Sequence, residues 1–200
     1  MELMEHHYRT TPVIKPDPIT KEDLYRVHDR SFVDGVFSGE IANGFGDGDL
    51  RVPEACLWTC GAMASAARFA ASSRLPVCVP ASGFHHAGYA FAEGYCTFNG
   101  LMVAAEQMTS LIPGTRVAIL DCDMHYGNGT DDIISSLPGM RKKVLHLTSG
   151  KHFDMGASPD EFFYWLDESL AKIKAFRPNL VLYQAGADMS INDPLGGMLT

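Results

Sequence analysis

The stretch that most constrains this chain is an apolar run, Val117 to Leu120, which is followed at once by polar residues. A continuous run of this kind is typical of a strand that is buried on both faces of a parallel sheet. Alternate residues of an extended chain point to one side, so the side chains of Asp121, Asp123 and His125 are expected to converge. Ligands of open α/β sheets bind beyond the carboxyl ends of the strands, so this cluster predicts a metal site.

A plainer alternative is that Asp121 and Asp123 only cap the helix that follows, as aspartate often does. That explanation is adequate for a single aspartate. It is less adequate for Asp-x-Asp-x-His at the end of an apolar strand, because a buried cluster of like charges is costly without a cation. We therefore favour the metal site and keep the capping role as the alternative.

The composition excludes several classes of partner. The chain has 200 residues, of which 46% are hydrophobic and 20% charged, as expected for one globular domain. The net charge of −8 and the lack of a basic run argue against nucleic acid as a partner. The sequence also lacks the hydrophobic core of a signal peptide and a stretch apolar enough to span a membrane, so no membrane partner is expected.

The five cysteines are scattered and form no Cys-x-x-Cys pair of the kind that binds zinc. Their expected role is that of small buried hydrophobic side chains. Unpaired cysteines fit a reducing compartment, so we expect the protein to be cytoplasmic.

Hydrophobic patterns and helix signals predict alternating helices and strands. Residues 1–20, with several prolines, are predicted to be an irregular lead-in, and residues 21–200 one α/β domain. Helices are predicted at 20–28, 31–37, 53–73, 100–111, 130–137 and 158–176. Strands are predicted at 76–80, 117–120, 143–148 and 179–184. Strands that alternate with helices indicate a parallel, doubly wound sheet.

Two more segments place polar side chains where predicted strands end. The adjacent pair His85-His86 follows the strand predicted at 76–80, inside a glycine-bearing loop. One such histidine is more often a core or surface residue, but two at the same end of the sheet as the Asp/His cluster are candidates for acid–base chemistry. The strand predicted at 179–184 is followed by Asp188, which is another carboxylate at a carboxyl end.

Three groups of motifs occur in a fixed order. They are Gly-Phe-His-His-Ala (83–87) with Gly-Tyr-Cys-Thr-Phe-Asn (94–99), Asp-Cys-Asp-Met-His-Tyr-Gly-Asn-Gly (121–129), and Gly-Ala-Asp (186–188) with Asp-Pro-Leu-Gly-Gly (193–197). Together they resemble the zinc-dependent histone deacetylase family, in particular its bacterial deacetylase-like members. The resemblance implies an arginase-like fold, which is a three-layer α/β/α arrangement with a central parallel sheet. It also implies hydrolysis of the amide of an acetylated lysine or a related acylated amine such as a polyamine.

The same resemblance implies two ion sites. Asp123, His125 and Asp188 would hold the catalytic metal, which is zinc or, in some members, ferrous iron. Asp121 and Thr148 would lie beside a monovalent cation such as potassium.

The implied mechanism uses both histidines. The metal polarises an amide carbonyl and lowers the pKa of a water molecule. His86 would take the proton from that water and pass it to the leaving amine, while His85, held by Asp121, stays cationic and supports the oxyanion. Asn128 stands behind the second histidine, where some members have aspartate, so it should orient the ring but raise its pKa less.

The resemblance also suggests residues that contact the substrate. Tyr95, together with Gly94, would form an aromatic wall of a narrow tunnel for the acyl-lysine chain. Asp49 matches a loop carboxylate that grips the substrate backbone, although Asp47 in the same Gly/Asp-rich loop is an equal alternative. Phe153 is the candidate for the opposite wall.

The sequence departs from the family pattern in length. Family domains continue past Asp-Pro-Leu-Gly-Gly to a Gly-Gly-Tyr turn, whose tyrosine hydrogen-bonds the oxyanion, whereas this sequence ends at Thr200. We therefore expect a truncated chain with edge strands missing, an exposed apolar sheet edge, and a homo-oligomer in preference to a monomer. Loss of an oxyanion donor costs about 10²–10³ in rate.

Two alternative functions follow. The chain could be a truncated or degenerate family member that binds metal without turnover. A ureohydrolase of the same fold is less favoured, because such an enzyme is expected to hold two metals with additional His and Asp ligands. The adjacent His85-His86 pair fits the deacetylase pattern better.

Overall fold

The structure is a computed structural model, and it describes residues 12–153, 158–195, 197 and 199. The helices are α1 (Lys21–Leu24), α2 (Arg30–Ser38), α3 (Arg51–Ser73), α4 (Gly100–Leu111), α5 (Asn128–Ser136) and α6 (Pro159–Phe176). The strands are β1 (Val117–Asp121), β2 (Val144–Thr148) and β3 (Leu180–Gln184), and short 3₁₀ turns follow β2 and β3 at Ser149–Lys151 and Ala187–Met189.

The three strands form one parallel sheet with β1 in the centre, in the order β2-β1-β3. Every residue of β1 is buried, as its continuous apolar sequence predicts. Asp121 at the end of β1 is in register with Thr148 of β2 and with Gln184 of β3. The carboxyl ends of all three strands therefore meet at one edge, and the predicted parallel α/β fold is confirmed.

The two faces of β1 pack into two separate hydrophobic clusters. Val117 and Ile119 belong to a large cluster with residues of helices α2 to α5. Ala118 and Leu120 belong to a second cluster, which includes Phe162 and other residues of α6. Since the side chains of a strand alternate between its faces, the sheet lies between helices on both sides, in three layers.

Local signals define several helix ends. Thr20 caps α1 and Ser158 caps α6, and each forms a capping box with the acidic residue three positions on, Asp23 and Glu161. In such a box the cap side chain accepts from a free backbone N–H of the first turn, and the acidic side chain accepts from the N–H of the cap. These residues fix where each helix begins, as their sequence pattern predicts.

The predicted strand at 76–80 is wrong, because this segment has no regular structure and most of it is exposed. Pro76 and Pro80 lack the N–H groups that a strand needs for pairing, so an apolar run between them does not suffice. Helix α3 begins at Arg51, two residues before the predicted start, and α5 begins at Asn128. Residues 12–20 contain no helix or strand, and residues 1–11 of the predicted lead-in lie outside the described ranges.

His28 is a buried histidine that joins the helical layer to the loop carrying the His-His pair. Its Nδ1 donates to the carbonyl of Gly88 at 2.8 Å, and its Nε2 accepts from the N–H of Asn99 at 3.0 Å. Because one nitrogen donates and the other accepts, the ring is neutral. Complete burial lowers the pKa of His28 to about 4.

This histidine predicts a loss of stability in acid. Between its folded pKa and the ordinary value near 6.5, the unfolded chain binds a proton that the folded chain does not. The free energy of unfolding is therefore fully retained above about pH 6.5 and falls by up to about 3 kcal/mol towards pH 4. Urea unfolding of wild type and His28→Gln across this range should show a shallower pH slope in the variant. The exposed His152, changed to Gln, should leave the slope unaltered. Equal slopes in wild type and His28→Gln would contradict this account.

Candidate metal centre and active site

Three side chains beyond the ends of β1 and β3, those of Asp123, His125 and Asp188, form a group that could hold a metal ion and is called the ligand group below. Asp123 and His125 follow β1, and Asp188 lies in the turn after β3. One ligand atom from each residue lies within 4.8 Å of the other two. Nδ1 of His125 is 2.7 Å from Oδ2 of Asp188 and 3.2 Å from Oδ1 of Asp123.

Backbone contacts hold the two carboxylates in place. The N–H of His125 donates to Oδ1 of Asp123 at 2.9 Å, and the N–H of Met124 donates to Oδ1 of Asp188 at 3.1 Å. Gly186, between β3 and Asp188, lies so close to Asp123 that an added Cβ would be 2.5 Å from its Oδ2. A glycine at this position is therefore required for the end of β3 to approach the loop after β1.

The donor set fits a divalent cation. Burial raises the pKa of Asp188, and the neighbouring carboxylate of Asp123 raises it as well. Two carboxylates this close repel each other unless a proton or a cation lies between them. One imidazole and two carboxylates are a ligand set of catalytic sites, in which an open position remains for water and substrate. The set suits zinc or ferrous iron equally.

His85 forms a buried pair with Asp121. Nδ1 of His85 is 2.8 Å from Oδ2 of Asp121, and their side chains are 4% and 0% exposed. Burial lowers the pKa of His85, but the hydrogen bond and charge of Asp121 outweigh this effect, so that the pKa is raised. Asp121 therefore does not join the ligand group, although its alternation with Asp123 and His125 suggested that all three converge.

His86 lies beside this pair and is paired with Asn128. Nδ1 of His86 is 2.7 Å from Oδ1 of Asn128, and its ring centroid is 4.1 Å from that of His85 and 5.9 Å from that of His125. Partial burial lowers the pKa of His86, and the hydrogen bond to Asn128 only partly offsets it. The pKa values of these two neighbouring histidines are thus shifted in opposite directions, an arrangement that separates a base from an electrostatic group.

The start of α5 packs directly on the loop that carries both histidines. Thr130 donates its N–H to the carbonyl of His85 at 3.1 Å. A Cβ on Gly129 would lie 2.4 Å from the carbonyl carbon of Ala87 and 2.5 Å from that of His86. The glycine after Asn128 therefore lets the helix touch the backbone of the histidine pair, which aligns Asn128 with His86.

The predicted monovalent-cation residues, Asp121 and Thr148, are neighbours across β1 and β2. A buried histidine that the sequence reasoning missed lies beside them. Nε2 of His146 is 3.7 Å from Oδ2 of Asp121, which is an ion-pair distance but too long for a hydrogen bond, and its Nδ1 is 2.8 Å from Oδ1 of Asp131. Burial lowers the pKa of His146, but the two carboxylates outweigh it and the pKa is raised. His146 precedes Thr148 by two positions in β2, so strand alternation could have indicated it.

A cleft of about 520 Å³ opens in front of the ligand group. Residues that line it include His86, Gly94, His125, Asn128 and Phe153. Phe153 also packs against Trp165 of α6, with ring centroids 6.1 Å apart. The cleft thus brings together His125 of the ligand group, His86, the predicted tunnel residue Gly94, and Phe153, which is the candidate for the opposite wall.

Tyr95 and Asp49 line a neighbouring pocket instead. Tyr95 is 69% exposed, and its ring contacts Phe45 edge-on at 5.6 Å between centroids. Asp49 is paired with Arg51 at 2.5 Å, and hydrogen bonds from Arg51 lower the pKa of Asp49 to about 2. Asp47 is occupied within its own loop, where it accepts from the side-chain amide of Asn43 at 2.6 Å. The predicted substrate contacts Tyr95, Asp49 and Asp47 are therefore not among the residues that line the cleft.

Glu93 is a second residue that the sequence reasoning missed. It lines the cleft next to Gly94, and its Oε1 accepts from Nδ2 of Asn128 at 2.5 Å. The two residues are 35 positions apart, so no sequence pattern connects them.

None of the helices in the described ranges combines the length and apolar character that crossing a bilayer would require.

Comparison with known proteins gives the same family as the motifs. Residues 1–154 match the histone deacetylase domain family. Histone deacetylase 15 of Arabidopsis thaliana is 27% identical over 216 residues, which cover 89% of this chain and 38% of that protein. Acetylpolyamine amidohydrolase of Burkholderia pseudomallei is 26% identical over 190 residues, which cover 78% of this chain and 53% of that protein. The chain therefore spans about half or less of the length of these two relatives.

A solved structure agrees in fold. The crystal structure of the HDA15 HD domain matches 92% of this chain and 61% of its own chain, with a TM-score of 0.74 and 26% sequence identity. The matched domain covers more than half of the sequence and includes the His-His pair and the candidate ligands Asp123 and His125. Its motifs, its parallel sheet and these matches together show that the chain belongs to the histone deacetylase family.

Proposed function

We propose that this chain carries the catalytic site of a metal-dependent deacetylase, which hydrolyses the amide of an acetylated lysine or of a related acylated amine such as a polyamine. The observation that carries the proposal is a cleft lined by His86 and by His125 of the ligand group, with the ring of His85 4.1 Å from that of His86 between centroids. Membership of the histone deacetylase family and the similarity to an acetylpolyamine amidohydrolase support amide hydrolysis in general.

Asp123, His125 and Asp188 would hold the divalent cation, with zinc or ferrous iron as the proposed ion. When bound, such a cation polarises an amide carbonyl and makes a water molecule more acidic. Asp121 and Thr148 would face a monovalent cation, for which potassium is proposed. Nε2 of His146 lies 3.7 Å from Oδ2 of Asp121, so a protonated His146 would supply part of the positive charge that this buried carboxylate requires.

The chain's own residues would supply the proton transfers and the charge stabilisation. His86 turns Nδ1 towards Asn128, which leaves Nε2 free to take a proton from water and later give it to the leaving amine. His85, with its pKa raised by Asp121, would stay cationic and stabilise negative charge on the carbonyl oxygen. Phe153 and Gly94 would flank the acyl chain.

A second candidate is metal binding without turnover, and the state of Tyr126 favours it. Among the described residues, Tyr126 is the tyrosine that lines the cleft, and its hydroxyl donates to Asp131 at 2.6 Å. This hydroxyl is therefore engaged with Asp131 and would not be free to bind an oxyanion. One oxyanion donor contributes about 10²–10³ in rate, so this site could bind metal and yet turn over weakly.

Metal binding and turnover, measured in the wild type and in one variant, separate these possibilities. Asp188→Ala removes a ligand and should abolish both binding of one equivalent of zinc or ferrous ion, measured by calorimetry, and turnover of acetyl-lysine peptide and acetylpolyamine. Asp167→Ala, at an exposed position of α6, is the matched control and should change neither. Metal binding without turnover in the wild type would select the second candidate. Undiminished metal binding by Asp188→Ala would refute the proposed ligand group.

A further inference from the structure

Glu93 is a cleft residue that the proposed mechanism does not use. Its Oε1 accepts from Nδ2 of Asn128 at 2.5 Å, and Oδ1 of the same amide is 2.7 Å from Nδ1 of His86. Resting on the function proposed above, we propose that Glu93 is a positioning residue, which fixes the amide orientation of Asn128 and thereby the tautomer of His86.

The donor and acceptor inventory carries this inference. The Asn128 amide has one side that only donates and one side that only accepts. A carboxylate only accepts, so Glu93 requires the NH₂ side of the amide to face it. The oxygen side is then left for His86, whose Nδ1 must carry the proton. In a neutral ring Nε2 is therefore unprotonated, as a general base requires.

Without a carboxylate at position 93, the opposite orientation of the Asn128 amide becomes accessible. An Asn128 amide turned over by half a rotation would present an N–H to His86, whose Nδ1 would then accept and whose Nε2 would hold the proton. That tautomer cannot accept a proton from water. A glutamine in place of Glu93 tolerates both orientations, because its own amide can donate or accept. An aspartate in place of Asn128 would need no such partner, since both of its oxygens accept.

The backbone holds Glu93 close to the histidine. Gly94 and Tyr95 both have positive φ, +55° and +62°, and the N–H of Cys96 closes this turn onto the carbonyl of Glu93 at 2.8 Å. A Cβ on Gly94 would lie 2.4 Å from Cδ2 of His86, so the turn touches the ring itself. A residue other than glycine rarely adopts positive φ unless the surrounding structure imposes this conformation, as is common near functional sites.

The charge of Glu93 is directed at the amide. Within the part of the chain that the structure describes, the ion pairs of lysine and arginine go to Asp34, Glu106, Asp49 and Asp131, and none goes to Glu93. A hydrogen bond to an ionised acceptor is roughly twice as strong as a neutral one. Glu93 therefore favours one orientation of Asn128 over the other through a charge-assisted bond.

The kinetic test uses a double variant. Glu93→Gln should lower kcat about tenfold with KM unchanged, since one strong hydrogen bond is exchanged for a neutral one. In an Asn128→Asp background the same change should be neutral or raise kcat, because it relieves repulsion between two adjacent carboxylates. Asp167→Asn, which removes an exposed charge of the same sign, is the control and should have no effect.

A second readout does not depend on turnover. In the full chain with ¹⁵N-labelled histidine, the signal of His86, assigned through His86→Gln, should report a neutral ring protonated on Nδ1. Glu93→Gln should shift it towards a mixture with the Nε2-protonated form. This result would support the positioning role even if the chain proved inactive, so the failure of the proposed function and of this inference are distinguishable.

Three outcomes would overturn the inference. The first is an identical tautomer of His86 in wild type and Glu93→Gln. The second is an equal loss of kcat from Glu93→Gln in both Asn128 backgrounds, which would indicate a structural role. The third is a raised KM for a cationic acetylpolyamine but not for a neutral acetyl-amine, which would mean that Glu93 binds the charge of the substrate.

Discussion

Replacing His86 by alanine is expected to lower turnover of an acetylated amine by about 10²–10⁴-fold, which is the usual contribution of a general acid–base group. The reason is geometric as well as chemical. His86 lines the cleft, and its bond to Asn128 uses only one of its two ring nitrogens. His125, at 5.9 Å between ring centroids, is occupied by two carboxylates and cannot take over this role.

Metal content is the internal control for this variant. His86 is not a member of the ligand group, so His86→Ala should bind the same equivalent of metal as the wild type. His152→Ala, at an exposed position outside the cleft lining, should retain full turnover. A fall in metal content that parallels the fall in turnover would instead place His86 among the ligands. Unchanged turnover would remove it from the mechanism.

Replacing Asp121 by alanine is expected to destabilise the fold by about 3–5 kcal/mol, the typical cost of removing one partner of a buried ion pair. Asp121 is completely buried at the end of the central strand, and its Oδ2 faces both His85 and His146. His85 would lose the carboxylate that compensates its burial, and His146 would lose one of its two carboxylates and keep only Asp131. The exposed fraction of the His146 side chain is only 2%, so solvent cannot replace it.

Urea unfolding at neutral pH measures this effect, and a second substitution tests its cause. Adding His146→Leu to Asp121→Ala removes one of the two imidazoles that lost this carboxylate, and should therefore recover part of the lost free energy of unfolding. Asp167→Ala, on the exposed side of α6, should lie within about 0.5 kcal/mol of wild type. A small loss in Asp121→Ala, or no recovery in the double variant, would contradict the buried-pair account.

The central part of the fold was predictable because its signals are local. The apolar run of β1 and the capping box at Ser158 each lie within a few consecutive residues. Parallel strands place their carboxyl ends at one edge, so the proximity of Asp123, His125 and Asp188 followed from the order of elements. The strand at 76–80 failed for a local reason as well, since flanking prolines outweighed its apolar run.

The sequence by itself determined the parallel sheet, the family and the residues that meet at the carboxyl ends of its strands. Only the tertiary structure decided how the supporting residues are used. His146 approaches Asp121, and Glu93 forms a hydrogen bond with Asn128. Periodicity and caps describe a chain's interactions with its nearest neighbours. A contact between side chains far apart in sequence, as for the Glu93–Asn128 bond, depends on how loops from different elements pack, which no local pattern encodes.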